Sequence, residues 1–260
     1  MHIEKGNSAQ RLLATRYNRP IDELPTYTKN KYHFIGRLLP NLITRETNAH
    51  LTIVELGCGN KGLAETYILS ALEGKDVNYI GIDSNPGLHP SPTLVGDIAA
   101  TSLASSSADA LLCLDVLEHI NRKKIGHVME EMVRVAKPGA PIIISVPSMY
   151  NLDRFNIPSI HFGTHVTKQT PHEWQALIEN YILVNETMGL GVFEIIPYLP
   201  QFLKMVNPDF PMEFITTLYK ALKSLDLGRL DPSIYKAGLN RTPHLKEYCD
   251  SFLMIGQKKS

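Results

Sequence analysis

The chain has 260 residues, 43% of them hydrophobic, which suits one α/β domain with additions and allows a substantial core. Lys and Arg total 26 and Asp and Glu total 26, so no basic field covers the whole protein to gather nucleic acid, and no nucleic-acid partner is expected. Met1 to Gly6 lack the apolar core of a secretory leader, no apolar stretch is long enough for a bilayer, and Cys58, Cys113 and Cys249 are too scattered for a disulfide framework or zinc cage; a cytoplasmic protein without membrane contact is expected.

Residues 1–50 read as helical and as lying outside the core. Ser8 is placed to cap a helix through Tyr17. Thr28 opens a second, to about Ile43, with Phe34, Ile35, Leu38, Leu39 and Leu42 on one face. Pro40 is expected to break that helix early. From Leu51 strand and helix patterns alternate, which implies a mostly parallel sheet. Strands are expected near 51–56, 77–82, 93–95, 109–114 and 141–146, and helices near 62–73 and 122–136. A short helix or irregular coil is expected around 98–105, and the small polar run Ser102 to Ser107 reads as loop. Thr170-Pro171-His172-Glu173 is a helix start with a capping box, running to about Asn180. Strands near 181–188 and 251–258 then complete the sheet as an antiparallel pair. Between them, 199–206 and 211–226 read as amphipathic helices, an insertion long enough to be either a substrate cover or a dimer contact.

Two short runs carry the chemistry. Val54 to Gly62 (VELGCGNKG) reads as a strand running into a glycine turn and a helix, and Ile80-Gly81-Ile82-Asp83 as the next strand, ending in an acid. Gly57 and Gly59 allow a sharp turn and let a ligand touch the backbone, where a Cβ would intrude. Asp83 is placed to accept hydrogen bonds from ribose hydroxyls. Gly57, Gly59 and Gly62 also fit the G-x-G-x-x-G of dinucleotide dehydrogenases, with Asp83 as the ribose acid. Glu55 points elsewhere: its carboxylate would repel a pyrophosphate and attract the ammonium of S-adenosylmethionine.

Further on come Gly96-Asp97-Ile98, then Ala108 to Ile120 (ADALLCLDVLEHI), then Val135 to Gly139 (VAKPG) leading into Ile142 to Pro147 (IIISVP). This ordered series resembles the class I S-adenosylmethionine-dependent methyltransferases, in particular the "type 11" group that includes many small-molecule enzymes. The resemblance covers about 51–181 and the last strand. It departs from the family at Lys61, where Gly is usual and the third glycine comes one place later. The resemblance implies a Rossmann-like α/β fold with a seven-stranded, mostly parallel sheet whose last strand is antiparallel. It divides the chain into an N-terminal helical lid (1–50), the cofactor-binding core (51–191), a helical insertion (192–245) and the final strand of the core (246–260). It also implies cofactor residues. Glu55 and the bend Gly57-Cys58-Gly59 would hold the methionine end, and Asp83 the ribose. Ser84 would border the adenine, Asp97 would meet its amino group, Ile98 would offer a backbone amide to the ring, and Leu114 a carbonyl near the sulfonium or ammonium.

Methyl transfer is an in-line displacement that needs alignment and, for a hydroxyl acceptor, a base. Three histidines are candidates: His119, His161 and His165. His119 closes the string Asp115 to His119 (DVLEH), which reads as a strand-to-helix junction, as a base, or as a superficial likeness to the metal site of small-RNA ribose methyltransferases, which usually have Glu at the position of Asp115. No metal is assigned. His161 and His165 follow the fifth strand, where the family's acceptor pocket lies. Tyr150, Asn151, Arg154 and Phe155 are placed to touch substrate by position alone, His172 reads as surface and Trp174 as core. The expected activity is methylation of a small organic acceptor, at oxygen. The rivals are an RNA acceptor gathered by Arg122, Lys123 and Lys124, a nicotinamide oxidoreductase, and a non-catalytic cofactor binder.

Overall fold

The computed structural model describes residues 21, 26–43, 50–59, 62–88, 92–147, 166–190, 213, 217 and 251–259. His161, His165, the 148–165 connection, the helix expected at 8–17 and nearly all of the 192–245 insertion lie outside these residues. Seven strands form one sheet: β1 (Leu51–Leu56), β2 (Val77–Asp83), β3 (Leu94–Val95), β4 (Ala110–Leu114), β5 (Ile142–Pro147), β6 (Ile182–Leu190) and β7 (Ser251–Lys258). Their order is β3-β2-β1-β4-β5-β7-β6. Neighbours from β3 through β5 are parallel, while β7 lies between β5 and β6 and is antiparallel to both. The final strand is thus inserted into the sheet, where β5 and β6 satisfy both its hydrogen-bonding edges.

Among the described residues, four helical elements cover the sheet. α1 (Thr26–Leu42) and a segment over 62–72, here α2, share one face. α3 (Arg122–Val135) and α4 (Pro171–Ile178) cover the other. Strand alternation sorts the core accordingly. Val54, Leu56, Leu111 and Cys113 pack under Met129, Met132, Trp174 and Ile178, while Ile53, Leu112 and Ile143 pack under Ile35, Leu39, Leu63 and Ile68. The central strands are buried on both faces, as expected of parallel strands with helical crossovers.

α2 begins as one α turn (Gly62–Ala64), widens to a π turn (Glu65–Leu69) and tightens to a 3-10 turn (Ser70–Leu72). α1 crosses it closely: a Cβ added at Gly36 would come within 2.0 Å of the Tyr67 carbonyl oxygen. Pro40 does not break α1, which continues to Leu42. A proline two residues from the end removes only one backbone bond there, and Ile43 N still donates to the Leu39 carbonyl at 3.1 Å. The 98–105 stretch is turns and bends rather than helix. α4 starts with the expected capping box: Thr170 Oγ1 accepts from Glu173 N at 3.2 Å and Glu173 Oε2 from Thr170 N at 2.8 Å. Trp174 is fully buried behind it. No helix among the described residues is long and apolar enough to cross a membrane.

Candidate functional site

The carboxyl ends of β1, β2 and β4 meet at the centre of the sheet, the place where open α/β folds bind ligands. The glycine bend after β1 is pinned to the end of β2. Gly57 N and Cys58 N both donate to the Ile82 carbonyl, at 2.7 and 3.0 Å. Gly57 and Gly59 have φ of +71° and +50°, a left-handed backbone that excludes most side chains. Asp83 completes the fixing: Oδ2 accepts from Gly59 N at 3.1 Å and Oδ1 from Asn85 N at 2.9 Å. Each carboxylate oxygen keeps a second lone pair, and the side chain is half-buried, so it can still receive two hydroxyls. Cys58 offers only its backbone; it is buried, and its Sγ lies 2.9 Å from where a Cβ on Gly81 would be.

The other residues expected to hold a cofactor line the same end of the sheet. Gly96 N donates to the Asp83 carbonyl at 3.0 Å, bringing Asp97 beside the end of β2. Asp97 is exposed and turns back on itself through Ala99 N, 2.9 Å from Oδ1, while Ile98 is buried. Ser84 is exposed, and Leu114 is buried at the end of β4.

Glu55 is set apart from these. Its carboxylate is completely buried, and it accepts from Tyr32 Oη at 2.7 Å and from Tyr79 Oη. Burial pushes its pKa up to about 7 against the pull of the two phenol hydrogen bonds and the Lys31 charge. Burial and the Glu55 charge in turn hold both tyrosines well above the usual phenol range, so their hydroxyls stay donors.

At the end of β4, Asp115 has a left-handed backbone (φ +54°), and its carboxylate accepts from Lys31 Nζ, from Ser145 Oγ at 2.8 Å and from Ser251 Oγ at 3.3 Å. Burial alone would push this carboxyl up; the Lys31 charge and the three hydrogen bonds outweigh it and hold it below the ordinary carboxylate range. A short 3-10 turn (Leu117–His119) follows. Glu118 turns into the core and His119 stays half-buried, Nε2 lying 3.7 Å from Glu118 Oε1. The Asp115 carboxylate is thus bonded to a lysine and two serines, and among the described residues no three His, Cys, Asp or Glu side chains are grouped as metal ligands.

Sequence reasoning missed Lys31, Tyr32, Tyr79, Ser145 and Ser251. A signal existed for two of them. Tyr32 shares a helical stripe with Ile35 and Leu39, and Lys31 with Ile35, Leu38 and Leu42, so both put polar tips on an apolar face.

Residues 54–144 match the family model described as a methyltransferase domain. Residues 54–144 thus carry a methyltransferase domain. No curated protein matches the sequence. Solved methyltransferases share the domain's fold at low identity. The N-methyltransferase NodS of Bradyrhizobium japonicum, in complex with S-adenosylhomocysteine, is 14% identical, with a TM-score of 0.56 over 98% of this chain and 98% of that one. A sarcosine dimethylglycine methyltransferase from Galdieria sulphuraria is 14% identical, with a TM-score of 0.52 over 88% of this chain and 85% of that one. A chain from the complex between the Haloferax volcanii Trm112 methyltransferase activator and a methyltransferase is 18% identical, with a TM-score of 0.51 over 89% of this chain and 92% of that one. In this methyltransferase domain the glycine bend and Asp83 lie inside the family match, whereas Lys31, Tyr32 and Ser251 lie outside it.

Proposed function

We propose that this methyltransferase acts on a small organic acceptor, at oxygen. The observation that carries the cofactor half of the reading is the link between Asp83 and Gly59. It holds the bend in a conformation only glycine adopts easily and leaves the carboxylate able to accept two more hydrogen bonds. When bound, S-adenosylmethionine supplies an electrophilic methyl on a positively charged sulfur. Asp83 receives the ribose hydroxyls, Gly57 to Gly59 admit the methionine end against bare backbone, and Asp97 and Ile98 flank the adenine side. His119 is the base that the described residues support best, since Glu118 stands behind its ring at the mouth of β4. His161 and His165 are the alternatives from the 148–165 connection.

The acceptor half rests on the even charge of the chain and on relatives whose names give small acceptors. Incubation of the full chain with methyl-labelled S-adenosylmethionine and a fractionated cell extract tests it. Label is expected in a small-molecule fraction as S-adenosylhomocysteine accumulates. Label in RNA instead would favour the second reading, which has one observation behind it: Arg122, Lys123 and Lys124 are all exposed on the first turn of α3. RNA binding of that kind would weaken steeply with salt. We assign the protein to the cytoplasm and the 192–245 insertion to covering the acceptor or pairing two copies; light scattering of the intact chain separates those two roles.

A further inference from the structure

Asp115 is one of two non-glycine residues with a left-handed backbone among those described, and it is the one at the centre of the sheet. That conformation disfavours an L side chain and persists only where the surroundings enforce it. Here they do so from three elements. Asp115 N donates to the Ser145 carbonyl at 2.9 Å on β5, Ser251 Oγ reaches Oδ1 from β7, and Lys31 Nζ reaches Oδ2 from α1. Lys31, Ser145 and Ser251 are all buried. The next residue, Val116, lies directly over the glycine bend: a Cβ on Gly57 would come within 2.4 Å of its Cγ2. On α1, Tyr32 follows Lys31 and donates to Glu55, two positions before Gly57. Two adjacent residues of one helix therefore grip the strand ends on either side of the bend.

We propose that Lys31 is a positioning residue for the cofactor: by compensating and orienting the Asp115 carboxylate it fixes the turn after β4, and through Val116 it fixes the glycine bend. The proposal rests on the methyltransferase reading above. The need for a cation is electrostatic. The Asp115 carboxylate is half-buried, its side chain 27% exposed, while Lys31 is buried, so water only partly screens the pair and removing one partner leaves the other under-compensated. Without Lys31, Asp115 relaxes most easily by turning toward solvent, which carries Val116 off Gly57 and loosens the bend.

Calorimetric titration of the full-length protein with S-adenosylhomocysteine tests this, with thermal melting in parallel. Lys31→Met, which keeps the length of the stem without its charge, is expected to bind about tenfold more weakly. Adding Asp115→Asn removes the orphaned charge and should bring affinity back to within about threefold of wild type, a rescue that simple loss of packing does not predict. If Lys31→Met only melts earlier and binds as well as wild type, or if the double variant folds and shows no recovery, the proposal is overturned. Should Lys31→Met not fold, the double variant decides alone by the same threefold criterion. Failure of the wild type itself to bind would instead sink the methyltransferase reading, and this inference with it.

Discussion

The two sides of the glycine bend are held by different means. At the ends of β1 and β2 the ties are local. Asp83 reaches Gly59 across 24 residues of chain, and the remaining bonds run from backbone amides to the Ile82 carbonyl. At the end of β4 the ties are long. Lys31 reaches Asp115 across 84 residues and Ser251 reaches it across 136, each through a side chain. The nearer side needs little more than a βαβ unit to form; the farther side exists only once α1 and β7 have docked. A nucleotide-like ligand is thus offered a preset cradle on one side and an assembled wall on the other.

The largest disturbance should come from the point where the two sides touch. Gly57→Val combines a left-handed backbone with overlap against Val116. It is expected to destabilise by about 2–4 kcal/mol and to abolish S-adenosylhomocysteine binding measured by calorimetry. A variant that binds normally would mean the bend is not the cradle.

Next comes pH. Glu55 holds its proton more tightly in the folded chain, at about 7, than at its ordinary 4.5. Its effect is therefore a loss of stability as pH rises from 4.5 to 7, level above that, and on the order of 3 kcal/mol at most. Glu131 acts with the opposite sign in a separate window: held down to about 2 by its hydrogen bonds from Arg134 and Thr101, it loses stabilising force as pH falls below 4.5. Urea unfolding across pH 5 to 8 should show the Glu55 slope, and Glu55→Gln should flatten it; an equal slope in the variant would assign the titration elsewhere.

Asp83→Ala removes the local tie and the proposed ribose acceptor together. Losing charge-assisted hydrogen bonds of this kind is expected to weaken S-adenosylhomocysteine by about 1.5–3 kcal/mol, on the order of 10- to 100-fold. Undiminished affinity would sink its assignment. The smallest effect belongs to α4, remote from both sides. Thr170→Ala breaks the capping box and should cost about 1 kcal/mol of stability while leaving ligand affinity unchanged; a change in affinity would show that α4 communicates with the crevice.

The near side was the legible one. Gly57, Gly59 and Asp83 announce themselves because left-handed turns favour glycine and because strand, turn and acid follow one another along the chain. The capping box at Thr170 was readable for the same reason. Glu55 was legible as an acid beside the bend but not as a buried one, since nothing local indicates that Tyr32 and Tyr79 close over it. Pro40 misled because its lost bond and clash fall on the carbonyl four residues earlier, while only two helical residues lie beyond it to be displaced. The place of β7 was hidden because an apolar strand pattern states which faces are buried and is silent on which edges are paired.

Periodicity and turn chemistry are properties of neighbouring residues, so the order of elements, the sheet's mainly parallel character and the glycine bend with its facing acid follow from the sequence by itself. Tertiary structure alone decided the enclosure of Glu55 and the threefold tie on the Asp115 carboxylate. Those depend on which side chains meet across 84 and 136 residues of chain, and burial, not residue type, determines whether a carboxylate there is an open ligand or part of the frame.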